Sequence, residues 1–511
     1  KVYELNGEKY YIARGVADIK RIVGSGEYPL NRVITSKLTS LNCLFQIQGG
    51  YSQAAVPENF NDDITNWDTS NVLSMEEVFS GWPEFNQDIS NWDTSKVEQM
   101  SGMFKSSKYQ GSYYMGPTSF NQDISNWDVR NVKNMSEMFL GATSFNQNIS
   151  NWDVSNVKNM DYMFSGATSF NQPIGDWDTS KVEYMRGMFS DVVAIGILAF
   201  VGTFEYNRAG STSFNQDISN WDVSNVKNMD HMFSGATSFN QDISNWDVSN
   251  VENMDHMFSA GRIDALKHTI DNNPTSFNQP LGNWDVSNVV NMSGMFSGAI
   301  SFNQDISNWD VSNVEYMDYM FSGATSFNQD LNGWGKLVGV EGMFYGATSF
   351  NSPIGKCKLY GMSMENMFRE ATAFNQDISC WDVSNVENMS EMFLGATSFN
   401  QDISNWDVSN VTQMKGLFQE ATSFNQNIRN WKLNEKLPKS RTMFKDAKAF
   451  NIKEYNPFLN KIAKERKVDT STAGLSTDDK KTFSKIKKLL TERDYDKINL
   501  GLELLISLNN L

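Results

Sequence analysis

The pair Phe-Asn recurs fifteen times in this chain, with Phe at 60, 85, 120, 145, 170, 214, 239, 277, 302, 327, 350, 374, 399, 424 and 450, and most steps are 25 residues. A unit of that length cannot bury its own apolar face, so a stable fold requires each copy to stack on its neighbours in a one-dimensional solenoid. Read from Phe239, the unit is FNQDISNWDVSNVENMDHMFSGA with a two-residue joint. A Trp follows seven residues after Phe in thirteen of the first fourteen copies, from Trp67 to Trp431. Cys357 is the exception, and Trp82 is the only Trp outside the pattern.

Within a unit the apolar spacing changes. Ile243, Trp246 and Val248 suit a short strand around Trp and Val, which share a face two residues apart. Val251, Met254, Met257 and Phe258 recur at three- and four-residue spacing, which predicts one face of a short helix. Ser249 with Glu252 reads as a capping box, repeated at Ser95/Glu98, Ser180/Glu183, Ser312/Glu315 and Ser384/Glu387. Gly166, Gly235 and Gly323 stand where a left-handed C-terminal cap belongs. The fold expected is an α/β repeat solenoid of about 15 strand-helix units, with one long parallel sheet and the helices as the opposite wall. The Asn after each Phe reads as a buried ladder that hydrogen-bonds turns between rungs; a ligand role is the alternative.

The string FNQDISNWDVSNV-x-NM-x-x-MF-x-GATS resembles the repeats of BspA-like bacterial surface proteins, leucine-rich-repeat relatives also common in mycoplasma lipoproteins and found in large viruses of protists. The resemblance spans roughly Asn31 to Asn451. It implies a leucine-rich-repeat-like solenoid, often surface-exposed and associated with adhesion or host contact, and it implies no enzyme.

Charge and cysteine content narrow the function classes. The net charge is -17, with 60 acidic against 43 basic side chains. Residues 431–511 hold 18 Lys or Arg and 11 Asp or Glu, a balance of +7, so residues 1–430 carry -24. Nucleic acid is excluded as a partner of the repeats, because phosphate contacts need clustered Lys and Arg. Cys43, Cys357 and Cys380 are odd in number and widely spaced, which supports neither a disulfide framework nor a CxxC zinc site.

Three parts are expected: an N-terminal cap over 1–59, the solenoid over 60–451, and a basic helical segment over 452–511. The cap contains a hairpin around Asn6-Gly7, the helix VADIKRIVGSG ended by Gly, and LTSLNCLF with Phe45 in the Met-Phe position. The last segment holds two helical patterns, DDKKTFSKIKKLLTE and YDKINLGLELLISLNNL. The second is apolar almost all round and is expected to cap the solenoid, dock a partner or begin a further helical domain. Its neighbouring Lys480, Lys481, Lys485, Lys487 and Lys488 read as a solvated helix face. No signal peptide, transmembrane span or lipidation Cys stands near the start, and a chain that begins at Lys1 is compatible with a processed or trimmed N-terminus. Three insertions, near 105–117, 190–211 and 259–274, follow the Met-Phe pair and therefore share one phase, so they should project from one edge. Tyr109, Tyr113 and Tyr114 in the first, with Phe204 and Tyr206 in the second, are candidate binding aromatics; plugging gaps between rungs is the alternative. The apolar run VVAIGILAF is too short to cross a bilayer and is a candidate for self-association through 190–211.

If Trp and Val face the core, the Asp of NWDV faces outward: Asp68, Asp93, Asp128, Asp153, Asp178, Asp222, Asp247, Asp285, Asp310, Asp382 and Asp407. Stacked carboxylates about 5 Å apart repel unless compensated. Ca²⁺ is one compensation; hydrogen bonds from neighbouring Ser and Asn are another. The column breaks at Gly335, Lys358 and Lys432. His231 and His256 occupy the same place in adjacent repeats, with His268 in the following insertion, so the three are within reach of one another, although exposed helix positions explain the pair without zinc. No nucleophile elbow, P-loop, Rossmann glycine pattern or HExxH occurs. Carboxylates repeated down a whole array mark a scaffold, since an acid and a base need distinct environments. The function expected is non-catalytic recognition or adhesion at a cell or virion surface, binding a protein or carbohydrate through the acidic face and edge insertions. The alternative is an intracellular scaffold or sensor whose helical tail docks to another chain.

Overall fold

The computed structural model describes residues 2–45, 61–106, 118–198, 203–208, 212–260, 263–264, 269–270, 274–437 and 442–458. The chain divides into two compact units, Lys1–Phe302 and Asn303–Leu511, and each contains its own stack of rungs.

The first unit opens with β1 (Val2–Leu5) and β2 (Glu8–Ile12), an antiparallel hairpin whose turn residues Asn6 and Gly7 have φ of 53° and 79°, as its Asn-Gly pair predicts. Helix α1 (Val16–Ser25) follows and ends at Gly26, left-handed at φ 63°, whose N–H donates to Ile22 O. β3 (Val33–Ile34) then pairs parallel with β2. The next segment adopts the rung conformation, with Leu41, Leu44 and Phe45 buried and Cys43 at φ 52°.

The rungs contain neither the strand nor the helix that their spacing suggests. In the rung from Phe214, alternate N–H groups, those of Met229, His231, Phe233 and Gly235, donate to the carbonyls of Asn253, Asp255, Met257 and Ser259 on the next rung. The intervening N–H groups of Met232 and Ser234 fold back to Met229 O and His231 O. An α-helix would satisfy every N–H within the segment; here half of them leave it. The residue before the Met-Phe pair is left-handed in rung after rung, as at Glu137, Tyr162, His231 and His256 with φ of 57°, 54°, 57° and 52°, and a right-handed helix admits no such residue. The parallel contact therefore runs through the expected helix. In the first unit it consists of one-residue bridges from Ser40 through Ser74, Gln99, Asn134, Asn159, Tyr184, Asn228 and Asn253 to Asn291; in the second it links Ser363, Asn388 and Gln413. Among the described residues no long parallel sheet and no helical wall occur, which corrects the strand-helix description of each unit.

The capping boxes fail for the same reason. Ser249 N–H donates to Asp247, while Glu98 and Glu183 pair with Lys133 and Lys158 of neighbouring rungs. Gly166, Gly235 and Gly323 are left-handed as expected, at 68°, 71° and 69°. They close no helix; their N–H groups donate to carbonyls one rung on.

Packing follows the spacing closely even though the backbone does not. Phe239, Ile243, Trp246, Val248, Val251, Met254, Met257 and Phe258 are all buried. Each large apolar side chain removed from water contributes about 1.5–3 kcal/mol, so every added rung extends the core. Phe233 stacks on Phe239 with centroids 4.0 Å apart and on Phe258 at 5.6 Å, and the second unit repeats this at Phe393–Phe399, 4.0 Å, and Phe393–Phe418, 5.7 Å. Polar links run beside the aromatic columns. Asn240 N–H donates to Asn215 Oδ1, and Gln241 Nε2 to the same oxygen, both at 3.0 Å. The Asn ladder thus forms, but it lies partly or fully exposed, as at Asn121 and Asn146, and is not buried. Trp82 fills the position that Ala takes in other joints, with its indole N–H on Phe45 O.

The three insertions leave from equivalent points. Ser106, Asp191 and Ala260 each donate their N–H to the next rung, at Leu140 O, Ser234 O and Ser297 O. Chain return is equivalent in the second and third: the hydroxyls of Thr212 and Thr275 donate to Phe189 O and Phe258 O. The second insertion forms the antiparallel hairpin β4 (Val192–Leu198) and β5 (Thr203–Arg208); the third forms β6 (Ile263–Asp264) and β7 (Thr269–Ile270).

In the second unit one stretch does become a strand pair. β8 (Lys336–Val338) and β9 (Lys358–Tyr360) lie parallel, Lys336 opposite Lys358. Trp334 and Val340 are six residues apart where Trp309 and Met317 are eight apart, so the Ser-Asn turn is missing and the chain straightens. This is where the Asp column breaks. At the end, α2 (Ile452–Tyr455) follows Asn451; the expected helices beyond Phe458 lie outside the described residues.

Candidate recognition face

Each Asp of NWDV sits at the start of a turn closed by the residue two positions on. Asp247 Oδ1 accepts the N–H of Ser249 at 3.1 Å, and the same bond recurs at Asp68, Asp93, Asp153, Asp178, Asp222 and Asp285 in the first unit and Asp310, Asp382 and Asp407 in the second. This local bond is the reason Asp and Ser favour turns. Asp128 has Arg130 in place of Ser and accepts its backbone N–H and its Nε, the latter at 2.8 Å. Ten of the eleven carboxylates are exposed and Asp128 is half-buried. At Asp93, Asp153, Asp178, Asp247, Asp310, Asp382 and Asp407, the Ser hydroxyl, then the Ser N–H, holds the carboxyl below its ordinary value. Serine thus supplies compensation for the stacked charge.

A second column escaped the sequence reading. Asp88, Asp123, Asp217, Asp242, Asp305, Asp377 and Asp402, the Asp of FNQDIS, are exposed and accept the N–H of Ser90, Ser125, Ser219, Ser244, Ser307, Ser379 and Ser404. The signal was the same Asp-x-Ser spacing as in the first column. Asn148 takes one of these places and accepts from Ser150 at 3.0 Å, so the turn needs the oxygen and not the charge.

Other candidates are placed as follows. Phe204 and Tyr206 lie on β5, opposite Ile197 and Ile195. Tyr109, Tyr113, Tyr114 and His268 lie outside the described residues. His231 and His256 lie against each other across adjacent rungs, ring centroids 5.0 Å apart and planes tilted by 43°. They belong to a charged group on the bridge-bearing face that sequence reasoning did not assemble. Arg186 N–H donates to Asp161 Oδ1 at 2.8 Å, Arg186 Nε lies 3.0 Å from Asp230 Oδ2, and His231 Nδ1 lies 3.0 Å from Asp230 Oδ1. Burial pushes the carboxyls of Asp161 and Asp255 up to about 6, whereas Asp230, despite its burial, is held low by His231 and Arg186. Among the described residues no group of three or more His, Cys, Asp or Glu side chains is arranged to hold a metal ion, and no helix is long and apolar enough to cross a membrane.

Sequence comparison places this rung pattern among known proteins. A family described as "Mycoplasma protein of unknown function, DUF285" matches residues 30–113, 109–196, 199–271, 264–362 and 341–457. The chain belongs to the DUF285 family. Its five DUF285 matches tile nearly the whole repeat region, so the chain is a tandem-repeat solenoid of this family. No curated protein matches it. Among solved structures, one titled "Crystal structure of TLR13-ssRNA13 complex" is similar over 86% of this DUF285 chain and 55% of that chain, at 9% identity and a TM-score of 0.19. The chain thus spans about half the length of that protein.

Proposed function

We propose that this protein is a non-catalytic recognition solenoid that binds a macromolecular partner, protein or glycan, through its two Asp columns and the insertions at its edge. The observation that carries the reading is the repeated Asp-x-Ser turn, which fixes exposed carboxylates at rung spacing before any partner arrives. Groups held in place beforehand lose little freedom on binding, and a regular anionic face steers cationic partners. The absence of a distinct acid-base pair among these equivalent carboxylates supports a binding role over an enzyme. The BspA-like resemblance of the repeats supports adhesion at a cell or virion surface. In this reading residues 1–59 and 452–511 close the ends of the array, and the apolar β4 segment offers a contact between copies.

The test uses the purified chain on an array of neutral, sulfated and sialylated glycans together with a panel of cationic proteins. At least one class is expected to bind with an affinity that falls as salt rises, and to lose at least tenfold in affinity when Asp222, Asp247 and Asp285 are replaced together by Asn. The turns survive that change, as Asn148 shows. No binder on either panel, or binding indifferent to the substitutions, overturns the reading. Light scattering with residues 192–211 replaced by a two-residue joint reports on self-association: a mass unchanged by the replacement excludes it.

A further inference from the structure

We propose that Asp161, Arg186, Asp230, His231, Asp255 and His256 form a mild-acid switch that tightens the rungs between Met160 and Phe258 as pH falls. The six side chains occupy four successive rungs of the first unit, on the face that carries the parallel bridges. Cationic partners are unevenly shared. Asp230, 8% exposed, receives both the guanidinium of Arg186 and the ring nitrogen of His231. Asp161 receives only the backbone N–H of Arg186 at hydrogen-bond distance. The Oδ1 of Asp255 is buried and accepts no hydrogen bond among the described residues; His256 Nε2 stands 3.8 Å away. The guanidinium is itself held over the ring of Tyr162, 5.4 Å from its centroid, and so is fixed toward Asp230.

The other titratable groups facing the cluster among the described residues are few. Glu137 lies on the rung before, and Asp191 is buried against Gly235. The rung after brings Ser293 and Gly294, which carry no charge. At neutral pH three carboxylates thus face one permanent cation, and two of them carry charge in a part-buried setting that disfavours it. Both have folded-state values near 6, above the ordinary Asp value. The folded protein therefore binds more protons than the unfolded chain between about pH 6 and pH 4, and stability gained at this site rises as pH falls through that window. The two rings, 5.0 Å apart, lie along these carboxylates, His231 on Asp230 and His256 3.8 Å from Asp255. No other place in either unit gathers imidazoles, carboxylates and a guanidinium in this way among the described residues.

Hydrogen exchange read by mass spectrometry on the full chain tests the switch, with rates corrected for the intrinsic pH effect and rungs 389–418 of the second unit as internal control. Protection over 160–258 is expected to rise about three- to tenfold relative to the control between pH 7.5 and 5.5. With Asp161→Asn and Asp255→Asn together, which imitate the protonated carboxyls, protection at pH 7.5 should already match the acid value of the wild type, and most of the pH dependence should vanish. A wild-type segment whose protection moves no more than the control overturns the proposal, whether or not the variant folds. Retention of the full pH dependence in a folded variant overturns it as well.

Discussion

The indole Nε1 of Trp246 donates to the main-chain carbonyl of Ile218, one rung back, at 3.1 Å. The same bond recurs from Trp67 to Leu30, from Trp152 to Ile124 and, in the second unit, from Trp406 to Ile378. The Trp column therefore serves two ends at once: it fills the core, and it adds a bond across rungs to a buried carbonyl that already accepts a backbone N–H of its own rung, that of Trp221 at Ile218. Trp246→Phe removes one of the two donors to Ile218 O, which keeps the N–H of Trp221, and leaves a void; it is expected to cost about 1–3 kcal/mol, most of it for the partly collapsed cavity. Urea unfolding measures it, and a cost below about 1 kcal/mol would mean that the neighbouring rungs close over the void.

The left-handed position before Met-Phe predicts a second effect. A Cβ on Gly294 would overlap the imidazole of His256, and one on Gly187 would overlap the ring of Tyr162. Either Gly→Ala change should cost the left-handed penalty of about 1–2 kcal/mol and a further cost for displacing the ring. Gly26, at φ 63° with open space around it, supplies the control. Comparing the three variants by urea unfolding isolates the overlap, and equal costs would show that the rings move aside freely.

How much of this was legible beforehand differs by level. Every buried residue of the rung from Phe239 to Phe258 could be assigned from spacing alone, because Phe, Trp and Met at fixed offsets leave no other place for so much apolar surface. The backbone could not. Val251, Met254, Met257 and Phe258 sit on one side of a helix and equally on one side of a ribbon with a left-handed residue, and apolar period does not separate the two. A clue was present in Gly102, Gly187, Gly294, Gly342 and Gly416, which recur at one position where a helix gains nothing from Gly. At the candidate site, His231 and His256 were visible as a repeated pair. Asp161, Arg186 and Asp230 were not, because each alone is an unremarkable polar residue in a variable column, and only the rung contacts bring them together.

Acid should weaken the Asp columns. Serine bonds hold Asp93, Asp153, Asp178, Asp247, Asp310, Asp382 and Asp407 below the ordinary carboxyl value. Stability from a lowered carboxyl is complete above the unfolded value, about 4, and disappears as pH drops through the folded value. Circular dichroism melts from pH 5 to pH 2 should show a falling midpoint, opposite in slope to the effect at Asp161 and Asp255. Ser249→Ala, which removes the hydroxyl that holds Asp247 low, should reduce the loss contributed by that turn.

Cysteine chemistry gives a fourth test. Cys357 stands in the Trp column with its Sγ 3.3 Å from Leu331 O, and burial raises its thiol to about 11; Cys380 is exposed. Iodoacetamide at pH 8 should alkylate Cys380 at least about a hundredfold faster than Cys357, since only the thiolate reacts. Peptide mapping reads the ratio, and comparable rates would mean that the rung opens around Cys357.

An array of near-identical rungs carries a hazard of its own: a copy displaced by one full repeat would meet almost the same Phe, Trp and Met partners. The rings that lie over glycine remove this degeneracy. Tyr162 lies over Gly187 and His256 over Gly294, and a Cβ at either glycine would overlap the ring as it stands; only at His231 does a ring in this column of the first unit meet a neighbour with a Cβ, His256. Such pairs act as serial numbers along an otherwise repetitive strip, so a chain refolding from denaturant has local means to tell the correct neighbour from the one beyond it.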